Sequence, residues 1–206
     1  MTSIRQLVAT TVIGSALTVA PLIAHAAPTE TTRTGATTVT LAPAFLGALQ
    51  SLAVTPAAIA PGKLVANAKG VRAWFVISTG AVDLATATPG GTLKAEISHE
   101  GGLSLSKGNT RVELSSFAIE IDAMGSLLTG LAVVNDSLAG RIPLFDLDLS
   151  KAGLGLNGNI LQVDDVAATL NEDAAKILNA IFGVTAFQKG LPIGTADVRA
   201  LLDRRH

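Results

Sequence analysis

The stretch "TLKAEISHEGGLSLSKG", residues 92–108, decides the fold class of this chain. Apolar and polar side chains alternate over residues 93–98. This period of two is typical of a β-strand that turns one face to a core and the other to solvent. The alternation resumes at Leu103, after a glycine pair, Gly101-Gly102, that predicts a sharp reversal of the chain.

The same pattern extends in both directions from this stretch. "GVRAWFVIS", residues 70–78, carries an apolar residue at every second position from Val71. Farther along, Ser115-Ser116 shifts the phase and Phe117 restarts it, which predicts a bulge or a bend between sheets. Short strands separated by frequent turn signals predict a mainly-β, single-domain protein, either a β-sandwich or a distorted barrel.

Two short segments have helical spacing instead. Residues 42–52 form one predicted helix, with Thr40 as a candidate cap and Pro43 in the first turn. The second segment begins at Asn171, a predicted N-cap, and ends at Gly183, which suits the position after a helix.

The two helical segments have similar surroundings. Thr40-Leu41 corresponds to Thr169-Leu170, and Val54-Thr55 corresponds to Val184-Thr185. The match indicates a strand–helix–strand unit used twice, with both helices capping the same sheet assembly. The alternative is a chance match in a sequence rich in Ala and Leu.

The amino-terminal residues predict export. Residues 1–26 carry one Arg, then an uncharged apolar stretch, and end at "AHA", a small-x-small pattern that predicts signal-peptide cleavage after about Ala26. A membrane anchor is the alternative, and Pro21 within the stretch disfavours it. Residues 27–38 are rich in Thr and predict a flexible leader, so the β-rich domain is expected over residues 39–206.

Composition excludes several classes of function. The chain has 15 Lys and Arg against 16 Asp and Glu, so its charge gives no reason to bind nucleic acid or an anionic membrane. No later apolar run reaches the roughly 18 residues of a spanning helix, so no transmembrane segment is expected in the mature chain. With 0 Cys, disulfides and thiol catalysis are excluded.

His99 is the histidine expected inside the fold, because His25 lies in the predicted signal and His206 is the last residue. The alternation places His99 on the inner face of its strand. A hydrogen bond to a turn carbonyl is the structural interpretation, and contact with a ligand, a metal or a substrate is the functional one. No GxSxG, HExxH, dinucleotide or P-loop pattern accompanies it.

Other candidate residues are the carboxylate pair Asp146 and Asp148, which share one strand face as the pair of a hydrolase does. Trp74 is a candidate ligand contact or a packed side chain. Asp164 and Asp165, with "NGN" at 157–159, are candidate calcium ligands without the pattern of a calcium loop.

The order of "GVRAWFVIS", "AEISHEGGLSLSKGNTRVELSSFAIEI" and "ATLNEDAAKILNAIFG" resembles exported bacterial β-rich proteins of the HtaA-domain kind. The resemblance covers about residues 64–198. It implies a secreted β architecture, and that family holds haem through tyrosine and histidine. This sequence contains 0 Tyr, so no tyrosine ligand carries over.

The sequence favours a non-enzymatic protein, secreted or at the cell surface, that binds a protein partner or a small apolar ligand or has a structural role. One alternative is an extracellular hydrolase that uses Asp146, Asp148 or His99. The other is a haem-binding protein of the HtaA kind. No metal site is expected beyond the weak calcium pattern.

Overall fold

Eight antiparallel strands close into a barrel in the computed structural model, which describes residues 29–68, 70–84 and 93–203. In chain order the elements are β1 Thr29–Leu41, α1 Pro43–Ser51, β2 Thr55–Ile59, β3 Lys63–Asn67, β4 Gly70–Asp83, β5 Lys94–Glu100, β6 Gly102–Lys107, β7 Thr110–Asp122, β8 Gly125–Val134, β9 Ser137–Asp148, β10 Gly153–Asn157, β11 Ile160–Leu170, α2 Glu172–Phe182 and β12 Pro192–Leu202. The ring runs β7–β5–β4–β1–β12–β11–β9–β8 and closes through pairing of β8 with β7. The mainly-β, single-domain prediction is confirmed, as a barrel rather than a sandwich.

Residues 29–38, predicted as part of a flexible leader, belong to β1, which pairs with both β4 and β12. The leader prediction is therefore wrong over these residues. Threonine is β-branched and suits a strand, so a Thr-rich segment without large apolar residues still pairs well. Thr32 and Thr37 point inward and are buried. The predicted signal peptide, residues 1–26, lies outside the described residues.

The glycine pair after His99 produces a kink and not the predicted reversal. β5 and β6 both pair with β7 in one continuous direction, so the chain keeps its course past Gly101. Gly101 has φ 84°, and a Cβ there would lie 2.4 Å from the backbone nitrogen of Gly62. Opposite it, Ser116 has φ 50° and donates its backbone N–H to the Gly101 carbonyl, 3.3 Å away. The bulge predicted at Ser115-Ser116 is confirmed.

Both predicted helices are confirmed, and they lie at one end of the barrel. β1 and β11 are each antiparallel to β12, so they run parallel to each other and their helices leave at the same end. The two helices pack into one core cluster, through Phe45 and Leu49 of α1 and Leu178 and Phe182 of α2. This end of the barrel is therefore covered.

The ends of the helices agree with the prediction in part. The side chain of Asn171 accepts the backbone N–H of Asp173, and Gly183 is left-handed at φ 63°. Thr40 does not cap α1, whose N-cap is Ala42 without a side-chain hydrogen bond. The proposed repeat differs from the structure after α2, because Val184 lies in a loop and β12 begins later.

β10 continues the line of β9 along β11. Phe145 pairs with Leu170 at one end of this line, and Asn157 pairs with Ile160 at the other. Within the described residues, β10 pairs with no strand other than β11. β10 thus extends the sheet at the end of the barrel opposite the helices. Neither described helix is long and apolar enough to cross a membrane.

Candidate functional site

The interior of the barrel contains a cavity of about 70 Å³. All eight strands of the ring contribute side chains to its lining, and these are apolar except for Thr37 and His99. A cavity of this size has room for roughly five waters, which would take up about 150 Å³ in liquid water. An apolar space of this kind is unfavourable for water and favourable for a hydrocarbon.

His99 lies on the inner face of β5, as the alternation predicts, with only 4% of its surface exposed. Its Nε2 lies 2.7 Å from the hydroxyl oxygen of Thr37. Its Nδ1 is buried and has no hydrogen-bond partner within the described part of the chain. An unpartnered buried polar atom costs about 1–3 kcal/mol, so this position favours a polar group that satisfies it.

Burial lowers the pKa of His99 from 6.5 to about 4. Loss of hydration disfavours the imidazolium. The backbone groups of Phe117 and Ile97 near the ring favour it, but they do not reach hydrogen-bond geometry with Nδ1 and offset only part of this effect. The ring is therefore neutral at neutral pH. One of its nitrogens carries a proton and the other accepts, so it matches a partner that donates or accepts a hydrogen bond.

Trp74 lies on the outer face of the barrel, away from His99. Its neighbours Ala73 and Phe75 point inward and are buried, while the indole is half-buried and Lys63 Nζ lies 5.1 Å from the ring centroid. This cation–π contact pairs two residues that are directly opposite on β3 and β4. The structure does not bring Trp74 and His99 together.

Asp146 and Asp148 lie on the outer face too. They alternate along β9 with Phe145 and Leu147, which line the cavity. Asp146 accepts a hydrogen bond from Asn171 Nδ2 at 2.7 Å. Asp148 accepts the backbone N–H of Ser150 at 2.8 Å, and hydrogen bonds from Ser150 lower the pKa of Asp148. The wall of the barrel separates both carboxylates from His99, so these candidate hydrolase residues do not form one pocket.

Asp146 contributes to the fold through Asn171, the N-cap of α2. We expect Asn171→Ala to lower the free energy of unfolding by about 1 kcal/mol, because it removes both the cap and the bond to Asp146. Asn171→Ser keeps a capping oxygen and loses only the amide donor, so it should recover most of the loss. Urea unfolding of both variants measures the two contributions. Equal losses in both would show that the cap contributes nothing.

One of the candidate calcium ligands, the Asp164 carboxylate, is engaged in an ion pair. Asp164 pairs with Arg199, and the backbone N–H of Asp165 donates to Asp197 at 3.1 Å. Across the described ranges, no group of three or more His, Cys, Asp or Glu side chains is placed to hold a metal ion.

Thr37 is the site residue that the sequence interpretation missed. It lies in the segment predicted as a leader, yet it contacts His99 from a position 62 residues earlier in the chain. The signal was present, since Thr37, Val39 and Leu41 occupy every second position and all line the cavity. Extending the period of two backwards from Val39 would have placed Thr37 on the inner face.

Comparison with solved structures identifies similar folds. The C-terminal domain of HtaA from Corynebacterium glutamicum matches with a TM-score of 0.60 and 12% identity, over 84% of this chain and 99% of that one. The heme binding protein HtaB from the same organism matches with a TM-score of 0.52 and 9% identity, over 85% of this chain and 96% of that one. A histidine-to-alanine variant of the HtaA C-terminal domain, a domain-swapped dimer, matches with a TM-score of 0.51 and 14% identity, over 76% of this chain and 90% of that one.

At these identities the likeness is one of fold, and it supports the resemblance to HtaA-type domains inferred from the sequence. No protein family matches the chain in sequence, and neither does any curated protein.

Proposed function

We propose that this chain is an exported, non-enzymatic protein that binds a small apolar ligand inside its barrel. The cavity carries the proposal, because it joins an apolar lining to a single neutral imidazole with an unsatisfied nitrogen. Ligand sites are typically apolar with a few polar groups that fix orientation. The hydrolase alternative has less support, because its carboxylates and His99 lie on opposite sides of the barrel wall.

His99 defines the chemistry of the ligand. A charged group would be costly in a cavity without a counter-ion, whereas a hydroxyl both donates and accepts and therefore matches either tautomer of the imidazole. Thr37 fixes the other ring nitrogen through its hydroxyl. A neutral alcohol with a hydrocarbon chain combines these features.

Export is supported by the signal-peptide pattern of residues 1–26. The fold gives independent support to a binding role, because HtaB, which shares it, is a heme binding protein. We place the protein outside the cell or at its surface, with cleavage after about Ala26.

Haem is the second candidate ligand, favoured by the fold shared with HtaB. The described residues do not fit it well. Pockets for ligands of this size occupy about 300–1,000 Å³, at least about twice the room inside this barrel. The residue that would hold the haem iron, His99, is buried and engaged by Thr37, and the chain contains no Tyr or Cys.

Calorimetric titration with octanol tests the proposal. We expect saturable binding to the wild type with a negative heat-capacity change, the sign of apolar burial. Ala196→Leu places a larger side chain in the cavity and should weaken binding at least tenfold. Thr195→Leu adds the same side chain next to it on the outer face, and should leave binding unchanged. No heat of binding with the folded wild type would overturn the proposal.

A further inference from the structure

We infer that the ligand enters at the end of the barrel opposite the helices, and that Leu154 and Leu156 of β10 hold the outer part of its hydrocarbon chain. The inference rests on the proposed function, because it takes the cavity as the binding site. It adds the direction of entry and a preference for chains longer than the cavity.

The helix end offers no entrance in this structure. Phe45 of α1 lies at that end, is 4% exposed and forms part of the cavity lining. Phe75 and Phe117 pack edge to face with their ring centroids 5.0 Å apart, and both line the cavity and belong to the same core cluster as the helices. A ligand would have to displace this packed core to enter from that side.

The opposite end has a different surface. Leu154 pairs with Val163, and Leu156 pairs with Leu161. Side chains of directly paired residues lie on the same face of a sheet. Since Val163 and Leu161 line the cavity, Leu154 and Leu156 lie on the inner face as well. They are nevertheless 39% and 45% exposed, because no described strand pairs with the outer edge of β10.

The inner face of β10 therefore continues the cavity wall beyond the closed part of the barrel. Val163 and Leu161 lie in the cavity wall and pair directly with Leu154 and Leu156, so the surface from the cavity to β10 is apolar at these positions. An alcohol with its hydroxyl at His99 and a chain longer than the cavity would extend past it. Its outer methylenes would then cover Leu154 and Leu156, which removes apolar surface from water.

Chain length and two double variants test this inference. Dodecanol should bind wild type about tenfold or more tighter than octanol, because its additional methylenes remove apolar surface of the protein and of the chain from water. Leu154→Ser with Leu156→Ser should remove most of this gain, and should leave the affinity for octanol unchanged.

The matched control is Ile160→Ser with Leu201→Ser, a directly paired couple with exposures of 40% and 37%. Ile160 precedes the buried Leu161 by one position, and Leu201 follows the buried Ala200 by one position. Both therefore point to the outer face. This variant should keep the tighter binding of dodecanol.

The outcomes separate the two proposals. If octanol binds and dodecanol binds no tighter, or if the Leu154 and Leu156 variant loses no more than the control, the entrance is elsewhere and the inference is wrong. If octanol does not bind to wild type at all, the proposed function fails and the inference fails with it. Thermal unfolding of each variant establishes that the barrel remains intact.

Discussion

Lowering the pH from about 7.5 to about 5 is expected to reduce the free energy of unfolding by roughly 2 kcal/mol through His99 alone. Burial holds the pKa of His99 at about 4 in the folded chain, against 6.5 for an unperturbed imidazole. Between these two values the unfolded state binds more protons than the folded state. Stability therefore rises with pH across this window and is lost as the pH falls below 6.5. Below about 4 both states are protonated, and the loss levels off near 3 kcal/mol.

His99→Leu provides the control for this prediction. Leucine has a similar size and carries no proton, and the loss of the Thr37 hydrogen bond in this variant is the same at every pH. The free energy of unfolding of this variant should depend on pH less steeply than that of wild type, because only the other titrating groups contribute to it. Urea unfolding at several pH values gives both curves, and their difference isolates His99 from other titrating groups. Identical pH dependence in wild type and His99→Leu would contradict the neutral, buried state of the imidazole.

Phe117→Ala should have the larger effect, a loss of about 4 kcal/mol in the free energy of unfolding. The ring is 5% exposed and meets Phe75 at an interplanar angle of 87°. It also covers Gly130, where an added Cβ would lie 2.9 Å from the ring. No side chain on Gly130 can fill the space that the ring leaves, so the variant should retain a void.

Phe117→Leu separates the volume from the aromatic contact. It keeps most of the buried surface and should cost less than half as much as the alanine variant. Chemical denaturation measures both losses. A loss below about 1.5 kcal/mol for Phe117→Ala would show that the surrounding strands collapse into the space, contrary to the tight packing described above.

Much of the fold follows from local pattern. The alternation predicted the strands around His99 and Trp74, and capping residues predicted where α2 begins and ends. The choice between sandwich and barrel did not follow, because it depends on pairings such as that of β1 with β12. Such pairings join distant segments, and a local period does not specify them.

Two of the errors in the fold have clear physical causes. The Thr-rich segment was assigned to a leader because it lacks large apolar residues, yet threonine fits a strand whose inner neighbours are large. Gly101-Gly102 was interpreted as a reversal because glycine permits turns. The conformation at Gly101 depends on Ser116 in the facing strand, which converts the same flexibility into a kink.

The candidate site was predicted in part. Alternation placed His99 on the inner face, and the structure finds it there. Its partner Thr37 was not predicted, because the contact joins β5 to a segment that had been set aside. Asp146 and Asp148 share a face as expected, but the sequence alone did not show that this face lies outside the barrel.

Native mass spectrometry with an absorbance spectrum, on protein recovered from the export medium, tests the central claim most directly. We predict a small apolar molecule bound to the wild type and to Thr195→Leu, no visible absorption band, and no bound mass on Ala196→Leu. A visible haem band, or the same bound mass on Ala196→Leu as on wild type, would contradict a ligand site inside the barrel.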